Sequence, residues 1–146
     1  IESPKDIYAV VLHPQIEVKT ADARAVLPNE ILLKDAITQS GNLGGFIAAL
    51  YTNDYELLGK SLQDVMVEPH RKKLIPYFDE VKTAAMQNGA LGSGISGAGP
   101  SIFALCKGQQ SAQKIANTIE KIYANTNISF NLFISKINTK GCEIIS

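Results

Sequence analysis

The apolar residues of this chain fall into two patterns, short continuous runs and longer stretches with helical spacing. The short runs are rich in β-branched and aromatic residues, which is typical of buried strands. Four of them predict strands, at residues 6–13, 90–95, 101–106 and 128–137. A short edge strand is also predicted at residues 142–145.

Helical spacing predicts five helices between these strands, at residues 20–28, 31–51, 54–67, 76–89 and 110–124. Thr20 and Asp54 are expected to cap two of them, because their side-chain oxygens accept hydrogen bonds from free backbone N–H groups. Within the longest helix, small residues recur every three or four positions and share one face. They are Gly41, Gly44, Gly45, Ala48 and Ala49. Such a stripe indicates either close approach of another backbone or a break in the helix.

This order of elements predicts an α+β fold in a single domain, residues 1–146. We expect a two-layer sandwich in which helices cover one face of a mainly antiparallel sheet. The ending, two strands followed by a helix and a strand, is half of a ferredoxin-like arrangement. No internal repeat or interdomain linker is visible in the sequence.

The charges of the chain are balanced, with fourteen basic and fourteen acidic side chains in 146 residues. A nucleic-acid or anionic membrane surface normally needs a basic excess, so neither partner is expected. No apolar run approaches the ~20 residues that a membrane span requires, and no signal peptide is visible, so a cytoplasmic location is expected. For the two cysteines, Cys106 and Cys142, buried thiols are the favoured interpretation, and a disulfide is left open.

Only two of the basic residues are arginines, Arg24 and Arg71, and all the others are lysines. Arginine presents a planar fork that holds a carboxylate or a phosphate through two parallel hydrogen bonds, whereas lysine offers a point charge. Binding of an anionic ligand is therefore one interpretation of the two arginines. The alternative is that both are ordinary solvated surface charges.

Residues 92–100 (GSGISGAGP) form the densest glycine cluster in the chain. Glycines let successive backbone N–H groups turn towards an anion and let a ligand approach closely. Residues 92–97 satisfy G-x-G-x-x-G, but the dinucleotide fingerprint must open a helix within a βαβ unit, and here Gly99 and Pro100 precede an apolar run. A P-loop is excluded because no G-K-[ST] ends the cluster. We predict a ligand-binding glycine turn between two strands, with a purely structural hairpin as the alternative.

Three blocks of this sequence resemble the C-terminal half of the homoserine kinase family, within the GHMP small-molecule kinase superfamily. They are residues 20–28 (TADARAVLP), 68–76 (EPHRKKLIP) and 94–100 (GISGAGP). The glycine block alone is typical of the superfamily, whereas all three in this order are specific for homoserine kinase. The resemblance covers essentially the whole chain. It implies an ATP-dependent kinase that transfers the γ-phosphoryl group to the hydroxyl of L-homoserine, giving O-phosphohomoserine on the route to threonine.

The resemblance also implies roles for individual residues. Arg24 and Arg71 would hold the substrate carboxylate, and Gly97 would lie against the amino acid. Thr20 would lie near the reacting hydroxyl. The glycine motif comprises Gly94, Ser96, Gly97, Ala98 and Gly99. No metal ligand is assigned within this chain.

One part of the family pattern has no counterpart in this sequence. The phosphate-binding motif P-x-x-x-G-L-G-S-S belongs to the N-terminal half of the family, and no residues here match it. ATP and Mg²⁺ are therefore expected to be bound mainly by that half, and this chain alone is expected to be inactive. The expected partners are L-homoserine and the chain's own N-terminal domain, and a homodimer is left open.

Two other functions are compatible with the same residues. Another GHMP kinase could use the two arginines to hold a substrate phosphate instead of a carboxylate. A non-catalytic regulatory α+β domain that binds an amino acid would explain the arginine pair without requiring a phosphate-binding motif. The first and second blocks of the resemblance favour homoserine kinase over another GHMP kinase. A phosphate-binding motif encoded upstream of Ile1 would distinguish the kinase from the regulatory domain.

Overall fold

Four strands form one antiparallel sheet in the computed structural model of the chain, which describes residues 4–141 and residue 144. They are β1 (Ile7–Pro14), β2 (Ala90–Ile95), β3 (Ile102–Lys107) and β4 (Phe130–Lys136), in the spatial order β2-β3-β1-β4. Helices connect β1 to β2 and β3 to β4, so the order and connections are those of a ferredoxin-like sheet. The predicted α+β class with an antiparallel sheet is confirmed. The edge strand predicted at 142–145 falls largely outside the described residues.

Six α-helices occur in the described part of the chain, together with a 3₁₀ turn at Lys72–Leu74. They are α1 (Thr20–Ala25), α2 (Leu33–Thr52), α3 (Tyr55–Ser61), α4 (Glu68–Arg71), α5 (Phe78–Gln87) and α6 (Gln109–Ala124). None of these helices is long and apolar enough to cross a membrane.

Most helix predictions agree with the structure, and the exceptions have local causes. Asp54 caps α3 as predicted, its carboxylate accepting a hydrogen bond from the Leu57 N–H at 2.9 Å. The helix α2 runs unbroken through its glycines, so the alternative of a break in this helix is excluded. The helix predicted at 54–67 ends at Ser61. The Asp64 carboxylate instead accepts hydrogen bonds from the N–H groups of Met66, Val67 and Glu68, where α4 begins.

One face of the sheet carries the main hydrophobic core, and it is covered by α5 and α6. Val10 of β1 lies in register with Ala104 of β3 and Ile134 of β4, and its side chain is fully buried. The helices contribute Phe78, Val81, Ala85, Ile115, Ala116 and Ile119 to the same cluster. Cys106 is buried there too, as predicted, and burial raises the pKa of its thiol. Cys142 lies outside the described residues.

The opposite face of the sheet is partly covered by α2 and α3, which the prediction of helices on one face did not include. Ala49 and Leu58 bury their side chains with Ile7 in a second, smaller cluster that Leu91 and Leu105 extend. Close approach of α3 to β2 depends on Gly59, since a Cβ there would stand 2.7 Å from the Leu91 carbonyl oxygen. The sheet is therefore layered on both faces at its β2 side.

Tyr123 ties α6 to the segment that leads into α5. Its side chain is fully buried, and its hydroxyl donates a 2.6 Å hydrogen bond to the Pro76 carbonyl oxygen. Its ring makes edge contacts with Tyr77 and Phe130 at centroid distances of 5.9 and 5.6 Å. Burial, with smaller contributions from Tyr77 and Glu80, raises the pKa of Tyr123 to about 12.

The pKa of Tyr123 predicts a loss of stability in alkaline solution. An unfolded chain releases the phenol proton near pH 10.0, whereas the folded chain holds it to about 12. The contribution of this group is therefore complete below pH 10.0 and is lost as the pH rises towards about 12. Tyr123→Phe should lower the free energy of unfolding by about 1 kcal/mol at neutral pH, through loss of the hydrogen bond. Urea unfolding should show a shallower alkaline decline in the variant, and equal declines would contradict this account.

Two glycine substitutions test the close approach of α3 to β2. Gly59→Ala forces the backbones apart and should destabilise the chain by about 1–3 kcal/mol. Gly44→Ala is the matched control, because a Cβ at this position of α2 meets nothing within 4 Å. The Gly44→Ala control should raise the free energy of unfolding by about 0.5–1 kcal/mol, because a helix ordinarily prefers alanine to glycine. Urea unfolding of both variants measures the difference, and a neutral Gly59→Ala would refute the tight contact.

Candidate functional site

Arg71 brings together the three sequence blocks that carry the resemblance. Its Nε donates a 3.0 Å hydrogen bond to the carbonyl oxygen of Ala23 in α1. Its Nη1 donates a longer one, 3.4 Å, to the carbonyl oxygen of Gly97 in the glycine turn. Both acceptors are far from Arg71 in the sequence, at separations of 48 and 26 residues. One guanidinium therefore joins the end of α4 to α1 and to the turn between β2 and β3.

The glycine cluster forms a turn between two strands, as predicted. The Ser96 N–H donates to the Ser101 carbonyl oxygen at 2.8 Å, and the Gly99 N–H donates to the Ser96 carbonyl oxygen at 3.1 Å. No helix begins at Gly97 (α6 begins only after β3), so rejection of the dinucleotide fingerprint is confirmed. Gly97 has φ +61°, in the left-handed region that favours glycine.

The tip of this turn offers free backbone donors. Neither the Gly97 N–H nor the Ala98 N–H has a hydrogen-bond acceptor among the described residues. Gly97 is exposed, and Arg71 contacts its carbonyl oxygen. Neighbouring free N–H groups beside a guanidinium are the donors that a carboxylate or phosphate oxygen requires.

The short helix α1 carries the other two predicted site residues. Thr20 and Arg24 lie four positions apart and so share one helix face, and both are exposed. The predicted cap at Thr20 is wrong: Lys19 is the N-cap residue, and its carbonyl oxygen accepts the 3.0 Å hydrogen bond from Ala23 that starts the helix. In the described part of the chain, neither the Thr20 hydroxyl nor the Arg24 guanidinium has a hydrogen-bond partner.

The helix α4 is a single turn, too short to be stable without help from its surroundings. Asp64 supplies part of that help: its Oδ1 accepts hydrogen bonds from the N–H groups of Met66 and Val67 at 2.9 and 2.8 Å, and its Oδ2 accepts one from Glu68 at 3.1 Å. Gln39 of α2 accepts a 3.0 Å bond from the Val65 N–H in the same segment. Asp64 was not predicted as a structural residue, although Asp commonly accepts hydrogen bonds from backbone N–H groups two and three residues later, as it does here.

Glu68 makes the second attachment of α4. Its side chain is mostly buried, with 12% accessible at the edge of an open cavity, and it forms an ion pair with Lys82 of α5. On its other side it lies against Gly94 of β2, where a Cβ would stand 2.9 Å from the Glu68 Oε2 atom. Lys82 was not predicted to have a role, since nothing in the sequence around it shows that it faces Glu68.

His13 marks the base of the glycine turn. Its Nδ1 and the Ser101 Oγ are 2.8 Å apart, and Ser101 is also the residue whose carbonyl closes the turn. This contact joins the end of β1 to the start of β3. The sequence alone assigned no function to His13.

An open cavity of about 270 Å³ lies beside α2, between it and β2. Its polar lining residues are Gln39, Asn42, Ser61, Gln63, Asp64 and Glu68. Several of these groups already hold the backbone of the 61–68 segment in place. Arg24, Arg71 and Gly97 do not line this cavity, so it is separate from the cluster around Arg71.

Comparison with known proteins identifies the family of this chain. Residues 46–125 match the family model described as GHMP kinases C terminal. The homoserine kinase of Chlorobium phaeobacteroides strain BS1 is 43% identical over 147 residues, which cover 99% of this chain and 46% of that protein. The chain thus spans about half the length of the curated relatives it matches, at 46%.

Solved structures give the same result. The crystal structure of homoserine kinase from Cytophaga hutchinsonii matches with a TM-score of 0.92 and 48% identity, covering 95% of this chain and 44% of that one. Phosphomevalonate kinase from Streptococcus pneumoniae, in complex with phosphomevalonate and AMPPNP, matches with a TM-score of 0.66 and 15% identity, over 92% of this chain and 41% of that one. The second match shows a shared fold only. The resemblance to homoserine kinases inferred from three sequence blocks is confirmed.

Proposed function

The chain belongs to the family of GHMP kinase C-terminal domains, and from this premise we propose that it is the substrate-binding part of a homoserine kinase. The complete enzyme transfers the γ-phosphoryl group of ATP to the hydroxyl of L-homoserine, giving O-phosphohomoserine for threonine synthesis in the cytoplasm. Relatives named homoserine kinase, at 43% and 48% identity, support this assignment over other GHMP kinases.

The observation that carries the proposal is the double attachment of Arg71. A guanidinium fixed by the Ala23 and Gly97 carbonyl oxygens keeps its Nη2 donors for a ligand. We assign the α-carboxylate of L-homoserine to this position, with Arg24 as the second cation and with Gly97 against the amino acid. The free N–H groups of the glycine turn supply further donors.

Thr20 is assigned to the neighbourhood of the reacting hydroxyl, since its own hydroxyl is not used as a helix cap and shares a helix face with Arg24. Phosphoryl transfer demands mainly that the attacking oxygen be aligned with the phosphoryl group. Holding the substrate by its carboxylate achieves that alignment for a small, flexible amino acid. ATP and Mg²⁺ provide the phosphoryl group and neutralise its charge, and we assign their binding mainly to an N-terminal domain.

An exposed apolar face on α2 supports the proposal that another polypeptide covers this domain. Leu33, Ile37 and Tyr51 are 76%, 64% and 69% exposed, and helical spacing puts them on one side of α2, away from α3. Large apolar side chains grouped in this way mark interaction surfaces. An N-terminal domain is the occupant we favour, and a second copy of the chain is the alternative.

The test of the proposed function is a phosphotransfer assay on the complete protein that contains this chain. ADP release should depend on L-homoserine, and mass spectrometry should identify O-phosphohomoserine as the product. Mevalonate and phosphomevalonate serve as competing substrates, because a fold neighbour at 15% identity was solved with phosphomevalonate. Turnover of either of these in preference to L-homoserine would refute the proposal, and binding of amino acids without turnover would favour a regulatory domain.

Substitution of the arginines tests the carboxylate site in the complete enzyme. Arg71→Lys and Arg24→Lys keep the charge but remove the planar fork. Loss of one charge-assisted hydrogen bond, about 1.5–3 kcal/mol, should lower kcat/KM for homoserine roughly 10- to 150-fold, through both KM and kcat. The KM for ATP should barely change. Steady-state kinetics with both substrates varied measures this, and a variant weakened chiefly towards ATP would show that the arginines have another role.

A further inference from the structure

We propose that Glu68, held by Lys82, is a positioning residue that fixes Arg71 against the glycine turn, an inference that rests on the proposed substrate site. Glu68 begins α4 and Arg71 ends it. Because α4 has only one turn, fixing its first residue also fixes the direction in which its last residue points. Glu68 would thereby control where the guanidinium lies without touching the substrate.

Burial of the Glu68 carboxylate is the first observation behind this proposal. The residue is only 9% exposed and Lys82, its partner, is partly buried, with 28% of its side chain accessible. Removing one member of a buried ion pair is strongly destabilising because the remaining charge stays buried without a partner, whereas replacing both by neutral groups is often tolerated. This pair therefore fixes α4 relative to α5 more firmly than a surface pair could.

The contact between Glu68 and Gly94 is the second observation. Gly94 lies within β2 and has no unusual backbone conformation, so conformational freedom does not explain its glycine. Space does: a Cβ there would stand 2.9 Å from the Glu68 Oε2 atom, closer than real Cβ atoms approach a neighbour. The first glycine of the motif thus makes room for the Glu68 carboxylate on the strand that leads into the turn.

The two ends of α4 therefore contact the same structural unit. Glu68 contacts Gly94, just before the turn, and Arg71 donates to Gly97, within it. Asp64 accepts hydrogen bonds only from the local backbone that leads into α4, so it orders this segment without locating it on the sheet. The Glu68 carboxylate, which is paired with Lys82, contacts β2 at Gly94 and so locates α4 on the sheet.

The experiment compares four variants of the complete enzyme: Glu68→Gln, Lys82→Met, the double variant and Lys82→Arg. Glu68→Gln should raise the KM for homoserine about tenfold, while the KM for ATP stays within about twofold. Lys82→Met leaves the Glu68 carboxylate without its partner. It should raise the KM for homoserine more than the double variant, in which neither charge remains. Lys82→Arg keeps the pair and should stay near the wild type.

A matched control uses the exposed ion pair between Glu56 and Lys60 on α3, whose side chains are 79% and 71% accessible. Glu56→Gln breaks that pair and should leave both KM values and the Tm unchanged, because exposed pairs contribute little. Gly94→Ala should imitate Glu68→Gln, since it displaces the same carboxylate. Should all the Glu68 and Lys82 variants lower the Tm and raise both KM values together, the pair would be purely structural and the proposal would be overturned.

Hydrogen–deuterium exchange gives a readout that does not need homoserine turnover. In Glu68→Gln, amides of residues 66–72 and 94–100 should exchange about tenfold faster, while those of α6 keep wild-type protection. A wild-type enzyme inactive on homoserine would refute the proposed function, whereas this exchange pattern would still support the positioning role. Unchanged exchange in both segments, with a wild-type KM, would refute the positioning role alone.

Discussion

Two glycines of β2, on the face that α3 covers, determine how the second layer of this domain is built. Gly92 and Gly94 project no Cβ from the strand, and Leu62 and Glu68 occupy the space that side chains would take. On α3, Gly59 meets the backbone of the same strand in the same way. Because the backbones of α3 and β2 approach so closely at Gly59 that they tolerate no added methyl group, α3 has a fixed distance from the sheet. Glu68 lies against Gly94 of the same strand and begins the helix that ends at Arg71.

Under the proposed function, a site assembled in this way recognises an anion largely through elements that are already in place. The donors are a guanidinium tied to two carbonyl oxygens and backbone N–H groups at the tip of a turn that its own hydrogen bonds close. Preorganised donors lose little conformational entropy when a ligand binds, which matters for a substrate with few atoms to contact. Phosphoryl transfer gains most from such positioning, since the protein contributes little covalent chemistry to it.

The sequence predicted those parts of the molecule whose signals are local. The strands β2 and β3, the turn between them and α6 follow from short apolar runs, glycines and helical spacing, and all agree with the structure within a few residues. The end of α3 and the existence of α4 did not follow, because they depend on the Asp64 carboxylate and on burial of Glu68. The pairing of Glu68 with Lys82 is a tertiary contact across 14 residues, and no periodicity reports it.

The candidate site was also predicted only in part, because its tertiary contacts are not visible in the sequence. Arginine scarcity singled out Arg24 and Arg71, but it could not show that they differ in their surroundings. Arg71 is half-buried and donates to two carbonyl oxygens, whereas Arg24 is exposed and has no such contacts in the described part of the chain. Immobilising a free arginine side chain opposes binding by about 1.5–2 kcal/mol of rotamer entropy, most of which Arg71 has already lost on folding. Under the proposed function, Arg71 therefore sets the position of the carboxylate, and Arg24 adds charge that becomes ordered only when the substrate arrives.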